Sequence, residues 1–424
     1  MSPVSRSWIK TTLKKSPRQA GGFDFRSMKN KETQQNRSDS RDWSKSRALT
    51  VGALISCLTV YGVTISLFSP FLSLLLEQRG TAASSIGALA MAAPVGVLVG
   101  SFLIPKLMRS YEGRSMLLFG VSVEVVLILG LMLTESFGVW FVIRFFGGLT
   151  GAILFLVTET WIIEIAPVKD RGKVLGLYNT ALAFSFAIGP LVLSLTGASG
   201  TAPYIIGMVA MLVASIPLLF AGTYRSSALD SPRFGVIGFF WVAPLLVMGV
   251  FAVGFKEVAL GGLLPVYGVR VGLSESTATL MLFFGAIGAA VMQFPIGWAA
   301  DVFNVRKVFV GCAILSLSGA IIWPLVINSP FLLWPILFLW AGSYAGFYTI
   351  SMILAGQWFK GSELATAMAA FGVFWGMGAF AGPAVSGIAM DVWDPYGLPF
   401  ILVAVSLIIF VLSLKSNFYR PRRV

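Results

Sequence analysis

The chain has 424 residues, 57% of them hydrophobic and 12% charged, with a net charge of +13 and no histidine. Soluble domains carry about a quarter charged residues, so a water-soluble enzyme is excluded, and the apolar excess is more than one globular core absorbs. With no His and only Cys57 and Cys312, His-ligated zinc sites, Ser-His-Asp triads and disulfide frameworks are excluded too, which leaves a polytopic membrane protein.

Residues 1–47 carry twelve Lys or Arg against Asp24, Glu32, Asp39 and Asp42, and read as a solvated, disordered cytoplasmic tail. The tail has no apolar core of signal-peptide type. Its first 23 residues, basic and free of acids, are weakly like a transit peptide, and Met28-Lys29-Asn30-Lys31 offers an alternative start. From Leu49 onward, apolar stretches of about twenty residues, the length that crosses about 30 Å of hydrocarbon as helix, recur between short polar punctuations. Twelve spans follow: 49–76, 84–107, 115–134, 137–164, 172–195, 201–223, 236–267, 275–300, 307–327, 331–355, 363–388 and 396–414. The seventh is long enough to be broken near Gly261-Gly262 and Pro265.

Of the 31 Lys and Arg, 27 fall in the tails or in loops after even-numbered spans; the others are Arg79, Arg144, Lys256 and Arg270. Basic residues accumulate on the cytoplasmic side, so both termini are expected there, and the net charge is topology rather than a nucleic-acid surface. The two halves echo each other at an offset of 192–194 residues: Pro105 to Arg114 matches Gly297 to Arg306, Gly148 matches Gly342, and Gly189-Pro190 matches Gly382-Pro383. The expected organisation is a six-helix bundle over 48–224, a cytoplasmic linker over 225–235, a second bundle over 236–414 and a basic cytoplasmic tail over 415–424. Such duplication is the pattern of a transporter with its binding site between the repeats.

The stretch Gly297-Trp298-Ala299-Ala300-Asp301-Val302-Phe303-Asn304-Val305-Arg306-Lys307 resembles the G-x-x-x-D-R-x-G-R-R signature of the major facilitator superfamily, with Val302 and Asn304 in place of its Arg and Gly. The resemblance covers residues 48–415. It implies an all-α fold of twelve transmembrane helices in two pseudo-symmetric six-helix bundles, and a gating role for Gly297, Asp301, Arg306 and Lys307, since this loop helps hold the cytoplasmic side closed in one state. In the first repeat Arg109 stands where the Asp belongs. Glu363 stands at the start of span 11, which that Asp normally faces, so Arg109 and Glu363 form either an inverted pair or, for Arg109, a plain inside-facing anchor. Arg144-Phe145-Phe146-Gly147-Gly148-Leu149-Thr150-Gly151-Ala152 is similar to the R-x-x-x-G-x-x-x-A-type element of proton-coupled members. Gly176 through Gly189-Pro190 resembles the antiporter motif, with packing or kinking as its alternative explanation. Glu159 to Glu164, Asp170 to Gly176 and Gly261 to Tyr267 resemble the YcaD-like branch.

Charges inside apolar spans are expensive and face the bundle interior. Five lie deep: Glu124, Arg144, Glu159, Lys256 and Glu257. A proton-coupled carrier needs a group that changes protonation between its two openings, and without His the carboxylates Glu124, Glu159 and Glu257 must supply it. Glu124, near the middle of span 3, is the first candidate, with Arg144 as the cation that holds it ionised until a proton or an anionic substrate intervenes. Glu159 lies about four turns and roughly 22 Å from Arg144 by helix rise, as an inner-gate residue or a structural partner of the basic loop. Lys256 and Glu257 point about 100° apart, so at most one of them lines the cavity. With the helix arrangement that the resemblance implies, Arg144, Lys256, Tyr61, Phe184, Gln293, Tyr344 and Trp375 are the substrate-cavity candidates, and a chamber this apolar suits amphipathic or lipophilic solutes better than sugars.

The expected function is therefore secondary active transport: proton-coupled export (antiport, efflux) of small organic or lipophilic compounds by alternating access. The alternatives are proton-coupled uptake of an organic anion or other small metabolite and, from another class, a non-transporting receptor or scaffold. The expected partners are a small-molecule substrate, H⁺ or Na⁺ as coupling ion, and the lipid bilayer of a bacterial inner membrane, with the chain acting as a monomer and without nucleic acid, cofactor or metal. The absence of a P-loop argues against an enzyme or an ATP-driven pump.

Overall fold

The structure, a computed structural model, describes residues 45–167, 170–225, 238–360 and 362–415. The tail up to residue 44, nearly all of the expected linker and the residues after 415 lie outside the described residues. Twelve helices are long and apolar enough to cross a membrane. They are α1 (Lys45–Gln78), α2 (Ala83–Leu107), α3 (Gly113–Leu133), α4 (Phe137–Ile165), α5 (Arg171–Thr196), α6 (Ala202–Leu219), α7 (Pro244–Arg270), α8 (Glu275–Val302), α9 (Val305–Leu325), α10 (Pro330–Trp358), α11 (Ser362–Val392) and α12 (Gly397–Lys415). No strand occurs among the described residues. The even number of crossings puts the start of α1 and the end of α12 at one end of the bundle, called here the terminal end.

Two sequence expectations need correction. The tail was expected to run to residue 47, but α1 already includes Lys45, Ser46 and Arg47, because Lys and Arg are good helix formers. The seventh span does not break at Gly261-Gly262 or Pro265, all of which lie within α7. The break comes earlier, at Ala243 (φ −142°, ψ 64°), between a single helical turn, Phe239–Val242, and α7. Pro244 explains it: proline disfavours helical backbone in the residue before it and suits the first position of a new helix. In the signature loop between α8 and α9, Asn304 takes the place of the expected Gly for a local reason, since its side chain accepts from the Arg306 N–H at 2.9 Å and caps α9.

Helices α1–α6 pack on one another and α7–α12 do the same, with contacts that repeat between the halves. Where Gly96 and Gly148 bring α2 onto α4, a Cβ on either would strike the backbone of Phe145 or Ala93; where Gly288 and Gly342 bring α8 onto α10, it would strike Phe338, or Met292 and Gly288. Gly189 lies against Ser66 and Leu67 at the α5–α1 crossing, and Gly382 against Phe255 at the α11–α7 crossing. Lipid supplies no hydrophobic drive between helices, so small residues that admit close backbone approach carry the packing. Gly189-Pro190 thus has the packing role considered for it. A further matched pair closes each bundle: Arg114 donates to the Ala221 carbonyl at 3.3 Å beyond the end of α6, and Arg306 to the Leu414 carbonyl at 3.0 Å at the end of α12. Each supplies a cation and donors to orphan carbonyls at a helix C-terminus.

Replacing Gly189 by Val is expected to destabilise the protein by about 1–3 kcal/mol through overpacking, whereas Gly172→Ala, with nothing within 4 Å of the new methyl, is expected to be near neutral. Thermal unfolding in detergent, followed by fluorescence, checks the contrast.

Candidate functional site

The first polar cluster lies within the N-terminal bundle. Gly147 has no side chain to hold α3 away, and a Cβ there would sit 3.8 Å from both carboxylate oxygens of Glu124. Three residues on along α4, Thr150 donates to Glu124 Oε2 at 2.6 Å. Tyr61 of α1 donates to the Gly147 carbonyl at 3.2 Å. Glu124, Arg144 and Gly147 line one narrow cavity with Thr64 and Phe68, about 20 Å³ in volume, room for a single water. Glu124 and Arg144, expected as partners, line the same cavity, but Arg144 makes no ion pair or hydrogen bond among the described residues and the direct partner of Glu124 is Thr150. Tyr61, only 2% exposed, braces α1 on α4 instead of facing an open chamber.

The second cluster lies between the bundles. Glu257, at the middle of α7, is surrounded by protein mass yet solvent-exposed, as a residue lining a water-filled cavity is. Trp375 of α11 donates its indole N–H to Glu257 Oε2 at 3.1 Å. On the opposing bundle, Tyr178 of α5 donates to Glu159 Oε1 at 2.8 Å, and exposed Tyr348 of α10 stands within electrostatic reach of both carboxylates. Among the described residues, the partner of Glu159 is thus a tyrosine.

Lys256 turns the other way, as the 100° separation requires. It is 4% exposed, with Nζ 5.4 Å from the ring centroid of Tyr344; Tyr344 is itself fully buried and shares a 2.7 Å hydrogen bond with Ser406 of α12. Both expected cavity residues are therefore sealed inside the C-terminal bundle, because Tyr344 faces α12 and Lys256 follows it. Phe184 is 42% exposed on α5. Gln293 is exposed on α8 one residue after Met292, which packs against Gly342.

At the terminal end, Asp301 and Lys307 are exposed, and nothing lies within 4 Å of a Cβ placed on Gly297, so this glycine serves no close helix crossing in this conformation. The ion pairs among the described residues do not include one between Arg109 and Glu363. The opposite end is shut. Arg270 holds both carboxylate oxygens of Glu77, across the two bundles, at 2.8 and 2.7 Å, and also Asp394 at 2.7 Å. Asp391 accepts from the backbone N–H groups of Ala83 and Ser84 at 2.8 and 3.0 Å. Glu77, Asp391 and Asp394 were not singled out from sequence, and Arg270 was noted there only as an exception to the basic-residue pattern. The available signal was Arg270 itself, a basic residue on the side where few occur.

This arrangement of twelve helices in two matched bundles, polar groups between them and one end shut, can be set against known proteins. The family model for the Major Facilitator Superfamily matches residues 54–288 and 246–423. The MFS-type transporter YfkF of Bacillus subtilis strain 168 is 26% identical over 356 residues, covering 81% of this chain and 90% of its own length. The MFS-type transporter YcaD of Shigella flexneri is 22% identical over 375 residues, covering 88% and 97%. Among solved structures, a bacterial homologue of the human lysosomal transporter Spinster, in an inward-facing and occupied conformation, superposes with a TM-score of 0.73 at 15% identity over 90% of this chain and 100% of its own. The repeat, the signature loop and the fold converge with the family match, and the chain belongs to the major facilitator superfamily of membrane transporters.

Proposed function

We propose that this transporter is a proton-coupled exporter of small organic or lipophilic compounds that works by alternating access as a monomer in a bacterial inner membrane, with both termini cytoplasmic. In that orientation the shut end is the outer one, and the cavity beside Glu257 is reached from the cytoplasm. The observation that carries the proposal is Glu124, which is held by one neutral hydroxyl, shares a water-sized cavity with the Arg144 guanidinium, and is not ion-paired to it. A carboxyl so placed can hold a proton or a charge, and a small shift of Arg144 selects between them. Glu159 and Glu257 provide carboxylates on the two facing bundles, where substrate and proton would compete. The scarcity of amides among these residues and the presence of Trp375 and Tyr348 support an aromatic or lipophilic solute.

A second reading, uptake of an organic anion, is favoured by the same Arg144, whose guanidinium lines the small cavity and makes no hydrogen bond or ion pair among the described residues. The two readings separate in proteoliposomes challenged with a compound panel under an imposed pH gradient, with a Na⁺ gradient as the parallel arm for the coupling ion. Export predicts exchange of lipophilic compounds against protons; uptake predicts anion accumulation with protons. A receptor would bind without counterflow.

Glu124→Gln is expected to reduce proton-driven flux to the level of empty liposomes while substrate counterflow persists; pH-driven flux equal to that of the native protein would remove Glu124 from the mechanism. Arg109→Glu and Glu363→Arg are each expected to impair transport, and the double variant to recover it if the pair forms when the terminal end closes; absence of recovery would leave Arg109 as an anchor. Lys256→Met, which replaces a sealed cation by an apolar chain of similar volume, is expected to keep flux and to hold or raise the thermal midpoint.

A further inference from the structure

The shut end carries polar contacts that no part of the coupling scheme uses. Glu77 ends α1 in one bundle and Arg270 ends α7 in the other, and their bidentate pair is largely buried, with side chains 16% and 18% exposed. Asp394, in the α11–α12 loop, takes the remaining Arg270 nitrogen at 2.7 Å. Charge-assisted, bidentate and partly desolvated hydrogen bonds are the strong ones.

The second contact involves a helix end. The N-cap position of α2 is Ala82, which has no side-chain capping bond. The free N–H groups of Ala83 and Ser84 are instead capped by Asp391, near the end of α11 in the other bundle. An anion at a helix N-terminus satisfies orphan donors and meets the positive end of the helix dipole. Thus α2 borrows its cap across the interface, and the cap is lost whenever the bundles part. A third contact, Gln78 to Glu275 at 2.6 Å, also crosses.

Beneath these groups the bundles meet closely: Gly87 lies against the Pro383 carbonyl, Gly387 against the Ala83 carbonyl, and Gly262 against the Ala90 methyl. Among the described residues, the hydrogen bonds, ion pairs and close glycine contacts that join the bundles lie at this end. Such a junction is either made or broken, since the arginine fork and the borrowed cap both need the same close approach.

We propose that Glu77, Arg270 and Asp394, together with Asp391 capping α2, form a latch that holds this end shut and sets the balance between the two openings of the transporter, with Arg270 as its central positioning residue. The inference rests on the transport reading for its effect on flux, and on geometry alone for its effect on shape.

Spin labels on cysteines at Ser136, in the α3–α4 loop, and Asn328, in the α9–α10 loop, report the separation of the bundles at this end; both positions are exposed. The buried Cys57 and Cys312 are replaced by Ala. In the full chain in nanodiscs, pulsed dipolar spectroscopy is expected to give a dominant short distance. Arg270→Ala and Asp391→Ala are each expected to raise the ratio of the long-distance to the short-distance population by about tenfold, with a smaller change for Arg270→Lys, which keeps charge and loses the fork. A second label pair within the N-terminal bundle, at Ser136 and Thr201, is expected to stay unchanged and separates opening from unfolding. Unchanged bundle separation in both alanine variants, with the internal distance intact, would overturn the latch. If an alanine variant also disturbs the internal distance, the exchange Glu77→Arg with Arg270→Glu decides: recovery of the short distance supports the latch, and failure to recover it in folded protein overturns it. Because no step of this measurement uses substrate or a proton gradient, failure of the coupling scheme leaves the result standing.

Discussion

Hydrocarbon offers no hydrogen-bond partner, and everything else in this molecule answers to that constraint. The backbone must close its own bonds, so the chain is helical from Lys45 through Lys415 wherever it crosses the membrane. Helices cannot be pressed together by the hydrophobic effect alone, so glycines at matched positions let backbones meet, and each bundle becomes one well-packed body. Four of the five deep charges are met by a local group, Glu124 by Thr150, Glu159 by Tyr178, Glu257 by Trp375 and Lys256 by the Tyr344 ring, and the fifth, Arg144, lines the small cavity beside Glu124.

The scaffold is symmetric and the chemistry is not. The glycine crossings and the Arg114 and Arg306 clasps recur at the repeat offset. By the same offset, Glu124 corresponds to the Ser316-Leu317-Ser318 stretch, and Arg144 to Leu337 or Phe338. The Lys256-Glu257 pair in turn has no charged counterpart near Val63 and Thr64. Duplication therefore supplies two matched bundles, and the deep charges break their symmetry. The four basic residues that stand apart from the tails and the loops after even-numbered spans each have a local role or a cavity to face. Arg79 lies 5.0 Å from the Trp140 ring centroid, Arg270 joins the bundles, Lys256 is sealed and Arg144 lines the small cavity.

Helix count and placement were legible because span length and loop polarity follow from bilayer thickness, which acts on each segment separately. The seventh span was misread because the local preference of Pro244 to begin a helix, acting on Ala243, outweighed the glycines later in the chain, which α7 accommodates without breaking. Within the site, residue types were legible and partners were not. Glu124, Glu159 and Glu257 were identifiable as charges in apolar surroundings, but Tyr178 and Thr150 are unremarkable by type and acquire a role only by standing within hydrogen-bond distance. Tyr344 and Lys256 appeared to be cavity residues because mid-span position was the available guide, and it says nothing about azimuth.

Composition, periodic apolar length, basic-residue asymmetry and the internal repeat determine by themselves that this chain crosses the membrane twelve times in two related bundles, since each depends on one segment and its solvent. Which face of each helix meets its neighbour is set by contacts between segments distant in the chain. Only the tertiary structure could therefore decide that Lys256 is sealed while Glu257 is open, that Arg144 stands beside Glu124 unpaired, and that Asp391 in the second bundle caps a helix that the first bundle leaves uncapped.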